Sequence, residues 1–136
     1  MADLTVTAAD VRPLDGAVVR RFLAAAAIDV GAPVYLSAAG TVSEADGSAY
    51  ASSCAIGVCV AVQPGGASTT AAAAGEYVDV VLSGPIGGCS CTYGTLYYVD
   101  DDAGVMADAA GTKDCIVGIG LDANTLLVRV QQIDFS

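Results

Sequence analysis

The sequence predicts an all-β protein: a small single-domain β-barrel or sandwich built from two pseudo-repeated hairpin units, with an extended N-terminal arm. Its 136 residues are 54% apolar but include no Trp and only two Phe, so small and β-branched side chains dominate. Such side chains suit thin sheets joined by tight turns. Short strand-like runs recur with turn signals about every 8–12 residues, which is typical of barrels and sandwiches.

One stretch of the chain occurs twice. Three landmarks of a strand–turn–strand pattern, one Tyr and two Gly, recur in the same order at separations of 63, 64 and 61 positions. The matched pairs are Tyr35 and Tyr98, Gly40 and Gly104, and Gly57 and Gly118. A nearly constant separation indicates a duplicated β unit. We place the pseudo-repeats at about residues 31–83 and 94–131, within a β-rich domain of residues 17–136.

Residues 1–16 are predicted to form the arm. Leu4-Thr5-Val6-Thr7 alternates briefly between apolar and polar side chains, and the segment ends in a turn at Asp15-Gly16. Pro13 excludes a central strand, because proline has no N–H for the ladder. We therefore expect the arm to pair along a sheet edge, either of its own domain or of a neighbouring subunit.

Residues 17–28 are ambiguous between a strand pair and a short helix, because strand-like residues are followed by four alanines. Arg20 and Arg21 lie in this segment and hold two of the five positive charges. In so acidic a chain they are candidates for an intersubunit salt bridge, and a solvated charged face is the alternative.

The remaining strands follow in two sets of similar layout. In the first set an apolar strand contains Gly57, which suits a β-bulge or a close backbone approach. Residues 67–74 are expected to form a loop of low complexity, with no side chain that demands burial. The predicted strands of the first copy are Val34–Leu36, Thr41–Val42, Ala55–Val62 and Tyr77–Leu82. Those of the second copy are Leu96–Val99, Val105–Ala107, Cys115–Leu121 and Thr125–Gln131.

The charge of the chain excludes several classes of partner. Five Lys and Arg against fifteen Asp and Glu give a formal net charge of −10. Nucleic acids and anionic membrane surfaces both require a cationic face, so we expect neither as a partner. No apolar run approaches the roughly 18 residues of a membrane span. Met1-Ala2-Asp3-Leu4 does not resemble a signal peptide, so we expect synthesis in the cytosol without general export.

No set of residues has the pattern of a catalytic site. His is absent, which removes the commonest general base and the commonest metal ligand. Gly84-Pro85-Ile86-Gly87-Gly88 is rich in glycine, but no Lys follows and no strand–loop–helix pattern surrounds it, so it is not a phosphate loop. We therefore expect no enzymatic activity, no cofactor and no metal.

One acidic cluster and the five cysteines are the remaining candidates for a metal or thiol site. Asp100-Asp101-Asp102 places three carboxylates together, but calcium loops use alternate positions and a distal Glu, so a solvated turn is favoured. The cysteines are best interpreted as small buried hydrophobic residues. A disulfide formed after release into an oxidising medium and a four-Cys zinc site are the alternatives. The five are Cys54, Cys59, Cys89, Cys91 and Cys115.

A series of turn and strand motifs runs along residues 17–130. The motifs are Gly31–Leu36, the apolar strand around Gly57, Val78–Gly84, Gly94–Val99, Ile116–Ala123 and Leu126–Val130. Together they resemble the small capsid decoration, or cement, proteins of tailed bacteriophages. The cysteines and the long acidic turn depart from the pattern of that family. Its motifs are structural, so it supplies no catalytic residues.

The resemblance implies a structural virion protein, made in the host cytoplasm, on the outer surface of the phage head. There it would cement neighbouring major capsid subunits against internal DNA pressure, as a homotrimer at three-fold or quasi-three-fold positions. Many weak symmetric contacts per particle give high avidity. The capsid-facing side is expected near the first copy. The candidate contacts to the capsid or the adjacent protomer are Leu4, Val6, Arg12, Arg20 and Arg21.

The alternative function is a head-surface adhesion module that binds a host glycan or receptor. The loops at residues 65–75 and 100–104 would then carry the binding. Both loops lack the aromatic side chains on which sugars stack, so the cementing function is favoured.

Overall fold

A computed structural model describes residues 3–63 and 70–134 of the chain. They form one small all-β domain, 55% strand and 6% helix, that contains a closed five-stranded barrel and additional strands. The predicted fold class is thereby confirmed. Within the described ranges, no helix has the length and hydropathy needed to cross a membrane.

Fourteen strands are described, most of them short. In chain order they are β1 (Thr5–Val6), β2 (Arg12–Pro13), β3 (Val18–Ala24), β4 (Ile28–Asp29), β5 (Pro33–Ala38), β6 (Thr41–Glu44), β7 (Ala55–Val62), β8 (Ala71–Ala72), β9 (Tyr77–Gly87), β10 (Cys89–Ser90), β11 (Leu96–Val99), β12 (Met106–Ala107), β13 (Cys115–Asp122) and β14 (Thr125–Gln132). One turn of 3₁₀ helix covers Ala8–Asp10, and the short helix α1 covers Tyr50–Ser53.

The barrel closes through β9, in the order β9, β3, β6, β5, β7 and back to β9. Asp79 shows the closure, because it is paired with Arg21 of β3 on one side and with Ala61 of β7 on the other. The β3–β6 pair is parallel and the other four pairs of the barrel are antiparallel.

The second half of β9 leaves the barrel and continues into a second set of strands. From Ser83 onward β14 replaces β7 as its partner, and β13, β11 and β12 follow in that order. On its other side β9 pairs first with β3 and then with β2. One long strand is therefore shared by both halves of the molecule, which joins them into a single hydrogen-bonded sheet.

The two hairpin units have the same pattern of pairing. The strand β5 lies between β6 and β7, as β11 lies between β12 and β13, and all four pairs are antiparallel. The register shifts at the same place in both units, next to the matched tyrosines. The corresponding pairs are Val34–Gly57 with Tyr97–Gly118, and Tyr35–Ala55 with Tyr98–Ile116. The repeat seen in the sequence thus has a structural counterpart.

One continuous apolar cluster fills both halves of the domain. Its fully buried members are mostly Val, as the composition predicts for a narrow barrel. Burying each such side chain stabilises the fold by about 1.5–3 kcal/mol. The largest fully buried side chains include Ile28, Val34, Val42, Val58, Val78, Val80, Ile86, Met106, Val117 and Leu126.

The ambiguous segment before the first unit is a strand. Phe22 of β3 is buried opposite Val78 of β9, so tertiary pairing overrides the helix propensity of the alanines that follow. The loop expected over residues 67–74 differs from the structure at β8, where Ala71–Ala72 pairs with Ile28–Asp29 and Ala72 is buried. Residues 64–69, which include positions 67–69 of that loop, lie outside the described part of the chain.

Candidate interaction surfaces

The N-terminal arm lies against its own domain. The strand β1 pairs with β10, and β2 pairs with the end of β9. The Leu4 N–H donates a 2.7 Å hydrogen bond to the Met106 carbonyl oxygen, and Leu4 is only 7% exposed. The sequence predicted that the arm pairs with a sheet edge either of its own domain or of a neighbouring subunit. In the structure it pairs with its own domain.

Leu4 and Val6 consequently face inward. Gly31 has φ +96°, and a Cβ at that position would collide with the Val6 side chain, so only glycine lets the arm pack this closely. Both apolar residues line a cavity of ≈320 Å³ between the arm and Val30. A contact of Leu4 with another subunit would require the arm to leave its own domain, whereas Val6 is partly exposed.

Arg12 is exposed on β2, away from the other predicted arginines. Its guanidinium donates a 3.1 Å hydrogen bond to the Asp10 carbonyl oxygen. It borders a shallow depression of ≈240 Å³ that also contains Leu14 and Thr125. Arg12 can therefore reach a partner without any rearrangement of the arm.

Arg21 is held by a network within its own chain. Its Nε lies 3.6 Å from Asp79 Oδ1, and its terminal nitrogen donates a 2.7 Å hydrogen bond to Gln63 Oε1. Gln63 Nε2 in turn donates to Asp79 Oδ2 at 2.6 Å. An exposed pair of this kind contributes at most about 1 kcal/mol to stability. The predicted intersubunit salt bridge would have to compete with this network at Arg21.

Arg20 borders an apolar groove that the sequence does not reveal. Its guanidinium lies 5.4 Å from the centre of the Phe22 ring, which is a cation–π contact. The groove has a volume of ≈520 Å³. We call it the Arg20–Arg129 groove, and its lining residues are Arg20, Phe22, Leu36, Ile56, Leu82, Ser83, Arg129 and Val130.

This groove lies where the barrel gives way to the second set of strands. Ser83 of β9 lies at this junction, since it is paired with Val18 of β3 on one side and with Arg129 of β14 on the other. At the same end, Ile56 lies at the beginning of β7 and Leu36 lies in the second half of β5. Five strands thus contribute to the walls.

The groove is cationic, although the chain carries a net charge of −10. No carboxylate is among its lining residues. Within residues 3–63 and 70–134, neither Arg20 nor Arg129 forms an ion pair. Arg129 of β14 is exposed.

The five cysteines are free thiols in this structure, three buried and two partly exposed. Burial raises the pKa of Cys59 to about 12. A side-chain hydrogen bond between Cys89 and Cys91 raises the pKa of Cys89 and lowers that of Cys91. The interpretation as buried hydrophobic residues fits Cys59, Cys89 and Cys115.

The acidic turn joins β11 to β12 and is tied to its surroundings. Asp101 accepts hydrogen bonds from the backbone N–H and the hydroxyl of Thr112, at 2.8 and 2.7 Å. Asp100 is only 7% exposed, which differs from the expected solvated turn, and its carboxylate accepts from the Asp102 N–H at 3.4 Å. In the described ranges, no group of three or more acidic or thiol side chains could hold a metal ion.

Glu44 connects the first unit to the second. Its carboxylate accepts a 2.9 Å hydrogen bond from the Asp29 N–H and lies against Gly104 of the second hairpin. The Gly104 N–H donates to the Ala45 carbonyl oxygen at 2.9 Å. Partial burial raises the pKa of Glu44, although the hydrogen bond from Asp29 acts in the opposite direction.

No protein-family model matches this chain, and no curated protein matches it.

Proposed function

We propose that this chain is a structural virion protein that binds the outer surface of a tailed-phage head and cements neighbouring major capsid subunits. It acts as a homotrimer at three-fold or quasi-three-fold positions and has no enzymatic activity. The motif series along residues 17–130 supports this proposal, since it resembles that of capsid decoration proteins. Such a protein must present a rigid surface and requires no reactive centre.

The observation that carries the proposal is the joining of both hairpin units through β9. A clamp must transmit force between the subunits it contacts, and two units that share one ten-stranded sheet do so without an internal hinge. The glycines that define the motif series serve close backbone packing in this sheet: a Cβ at Gly57 or Gly118 would collide with a carbonyl oxygen of the next strand. These motifs therefore have structural roles, as a clamp requires.

The test is cosedimentation with expanded, DNA-free heads of the phage whose genome encodes the chain. The proposal predicts saturable binding at a fixed number of copies per head, and the absence of binding to mature and expanded heads alike would overturn it. Removal of residues 2–12 tests the arm. Because Leu4 and Val11 are buried, a fold control by circular dichroism must accompany that deletion.

The alternative, a head-surface adhesion module for a host glycan or receptor, is favoured by one observation. Tyr93 is 79% exposed at the turn before β11, and exposed aromatic rings are the surfaces on which sugars stack. Residues 65–69 of the proposed receptor loop at residues 65–75 lie outside the described residues. Binding of the free protein to a glycan array, lost in Tyr93→Ala, would support this function over cementing.

A further inference from the structure

We propose that the Arg20–Arg129 groove is the surface that binds the capsid, and that its occupant is an acidic, apolar segment of a major capsid subunit. An aliphatic or aromatic side chain of that segment fills the groove, and a neighbouring carboxylate lies between the two guanidinium groups. This inference rests on the proposed function and assigns the contact to a place in the fold.

The charges on the groove select an acidic partner. Of the four arginines, Arg21 is paired with Asp79, and Arg12 donates to a backbone carbonyl. Arg20 and Arg129 form no ion pair within the described residues, although the chain has fifteen acidic side chains. Two unpaired cations beside one apolar groove attract a carboxylate to that place on a chain of net charge −10.

The apolar part of the groove selects a side chain that requires burial. Leu36 is 48% exposed, and Ile56, Leu82 and Val130 are partly exposed beside it. Apolar residues flanked by arginine are the composition of energetically dominant interface positions. The volume of ≈520 Å³ falls in the range of pockets that bury a ligand.

The walls of the groove are preorganised. They come from β3, β5, β7, β9 and β14, each of which is paired in the sheet, so binding orders few backbone groups. Low ordering cost favours the bound state. A second copy of this chain is the rival occupant, and sedimentation velocity distinguishes it from a capsid segment.

Two pairs of matched variants test the groove in the cosedimentation assay. Arg129→Glu is compared with Lys113→Glu, which makes the same change of charge elsewhere. Leu36→Ser is compared with Leu121→Ser, because both leucines are 48% exposed. We expect Arg129→Glu and Leu36→Ser each to weaken head binding by about tenfold or more, the scale of one charge-assisted or apolar interface contact. Their matched controls should stay within about twofold of the wild type.

The outcomes separate this inference from the function on which it rests. Wild-type binding that both groove variants retain would overturn the groove and leave the function standing, whereas a wild type that does not bind heads overturns both. Equal losses in a groove variant and its control would also overturn the groove. Sedimentation velocity of the free wild type and of each variant tests the rival occupant. If the wild type is an oligomer and a groove variant is a monomer, the groove binds a second copy and the capsid occupant is overturned.

Discussion

Gly57 and Gly118 occupy the same position in the two hairpin units, and each lies under a carbonyl oxygen of the next strand. For Gly57 that oxygen belongs to Val81 of β9, and for Gly118 it belongs to Leu127 of β14. The strand β9 therefore completes the first unit as β14 completes the second. The neighbouring strands approach so closely at these two positions that no Cβ fits.

Alanine at either glycine is expected to destabilise the fold by about 1–3 kcal/mol, since overpacking forces the backbone to shift. Urea unfolding of Gly57→Ala and Gly118→Ala measures the loss. Gly40→Asn is the control, because nothing lies within 4 Å of a Cβ there and Asn tolerates its positive φ. Losses at Gly57 and Gly118 no larger than that of the control would contradict the close backbone approach at these two positions.

Replacing Glu44 by Gln is expected to stabilise the protein at pH 7 by less than about 1 kcal/mol, because the half-exposed carboxyl is screened by solvent. Partial burial raises the pKa of Glu44 above its ordinary 4.5, so the folded protein favours the protonated carboxyl. The resulting stabilisation is complete below pH 4.5 and is lost as the pH rises through the folded-state pKa. The advantage of Glu44→Gln should therefore disappear at acidic pH in unfolding measurements.

Asp46 supplies the opposite sign for comparison. Hydrogen bonds from Ser48 and Ser52 lower its pKa from 3.8, so its carboxylate stabilises the fold above that value. This stabilisation is lost as the pH falls through the lowered folded-state pKa. Asp46→Asn should therefore weaken the protein at pH 7. It should have little effect at about pH 2, where carboxyl groups are protonated in both the folded and the unfolded chain. The same pH trend in both variants would refute these assignments.

Leu4→Ala is expected to destabilise the protein by about 2–3 kcal/mol, the lower range for a buried leucine, because the arm is packed at the surface of the core. Thr5→Ala on the same strand exposes no core and keeps every backbone hydrogen bond, so its effect should stay within about 0.5 kcal/mol. Thermal unfolding of both variants makes the comparison. Equal, small effects would mean that the arm is not docked in solution.

Cys91 is expected to react first with a thiol reagent at neutral pH. Its pKa is lowered by the hydrogen bond from Cys89 and it is partly exposed, whereas Cys59 is fully buried with a pKa of about 12. The thiolate is the reactive form, so the rate follows the thiolate fraction. Mass spectrometry after brief labelling identifies the modified residue, and Cys91→Ser should abolish the fast phase. Fast modification of Cys59 in the folded protein would show that this order is wrong.

Local patterns in the sequence predict much of this fold. Short alternating runs indicate the strands, and the Tyr and Gly spacing indicates the repeat. Of the β-bulge or close backbone approach expected at Gly57, the structure shows the close approach of the Val81 carbonyl oxygen. The closure of the barrel was not predictable in this way. It depends on Asp79 meeting both Arg21 and Ala61, and on the parallel pairing of Leu23 with Thr41, which no local periodicity encodes.

The groove escaped prediction for the same reason. Leu36, Ile56, Leu82 and Arg129 lie on four different strands and are brought together only by the pairing of β5 with β7 and of β9 with β7 and β14. In the sequence each is an ordinary strand residue. Arg20 and Arg21 were singled out by charge alone, and the structure distinguishes them, since Arg21 is paired internally and Arg20 faces the groove.

If the protein strengthens a DNA-filled shell, the thermal stability of that shell against DNA release measures the effect most directly. DNA-filled heads that lack the protein are heated with and without it, and DNA release is followed by the fluorescence of an intercalating dye. We predict that wild-type protein raises the temperature of DNA release in a saturable manner, and that Arg129→Glu requires more protein for the same increase. An unchanged release temperature on heads that are saturated with bound protein would contradict the account.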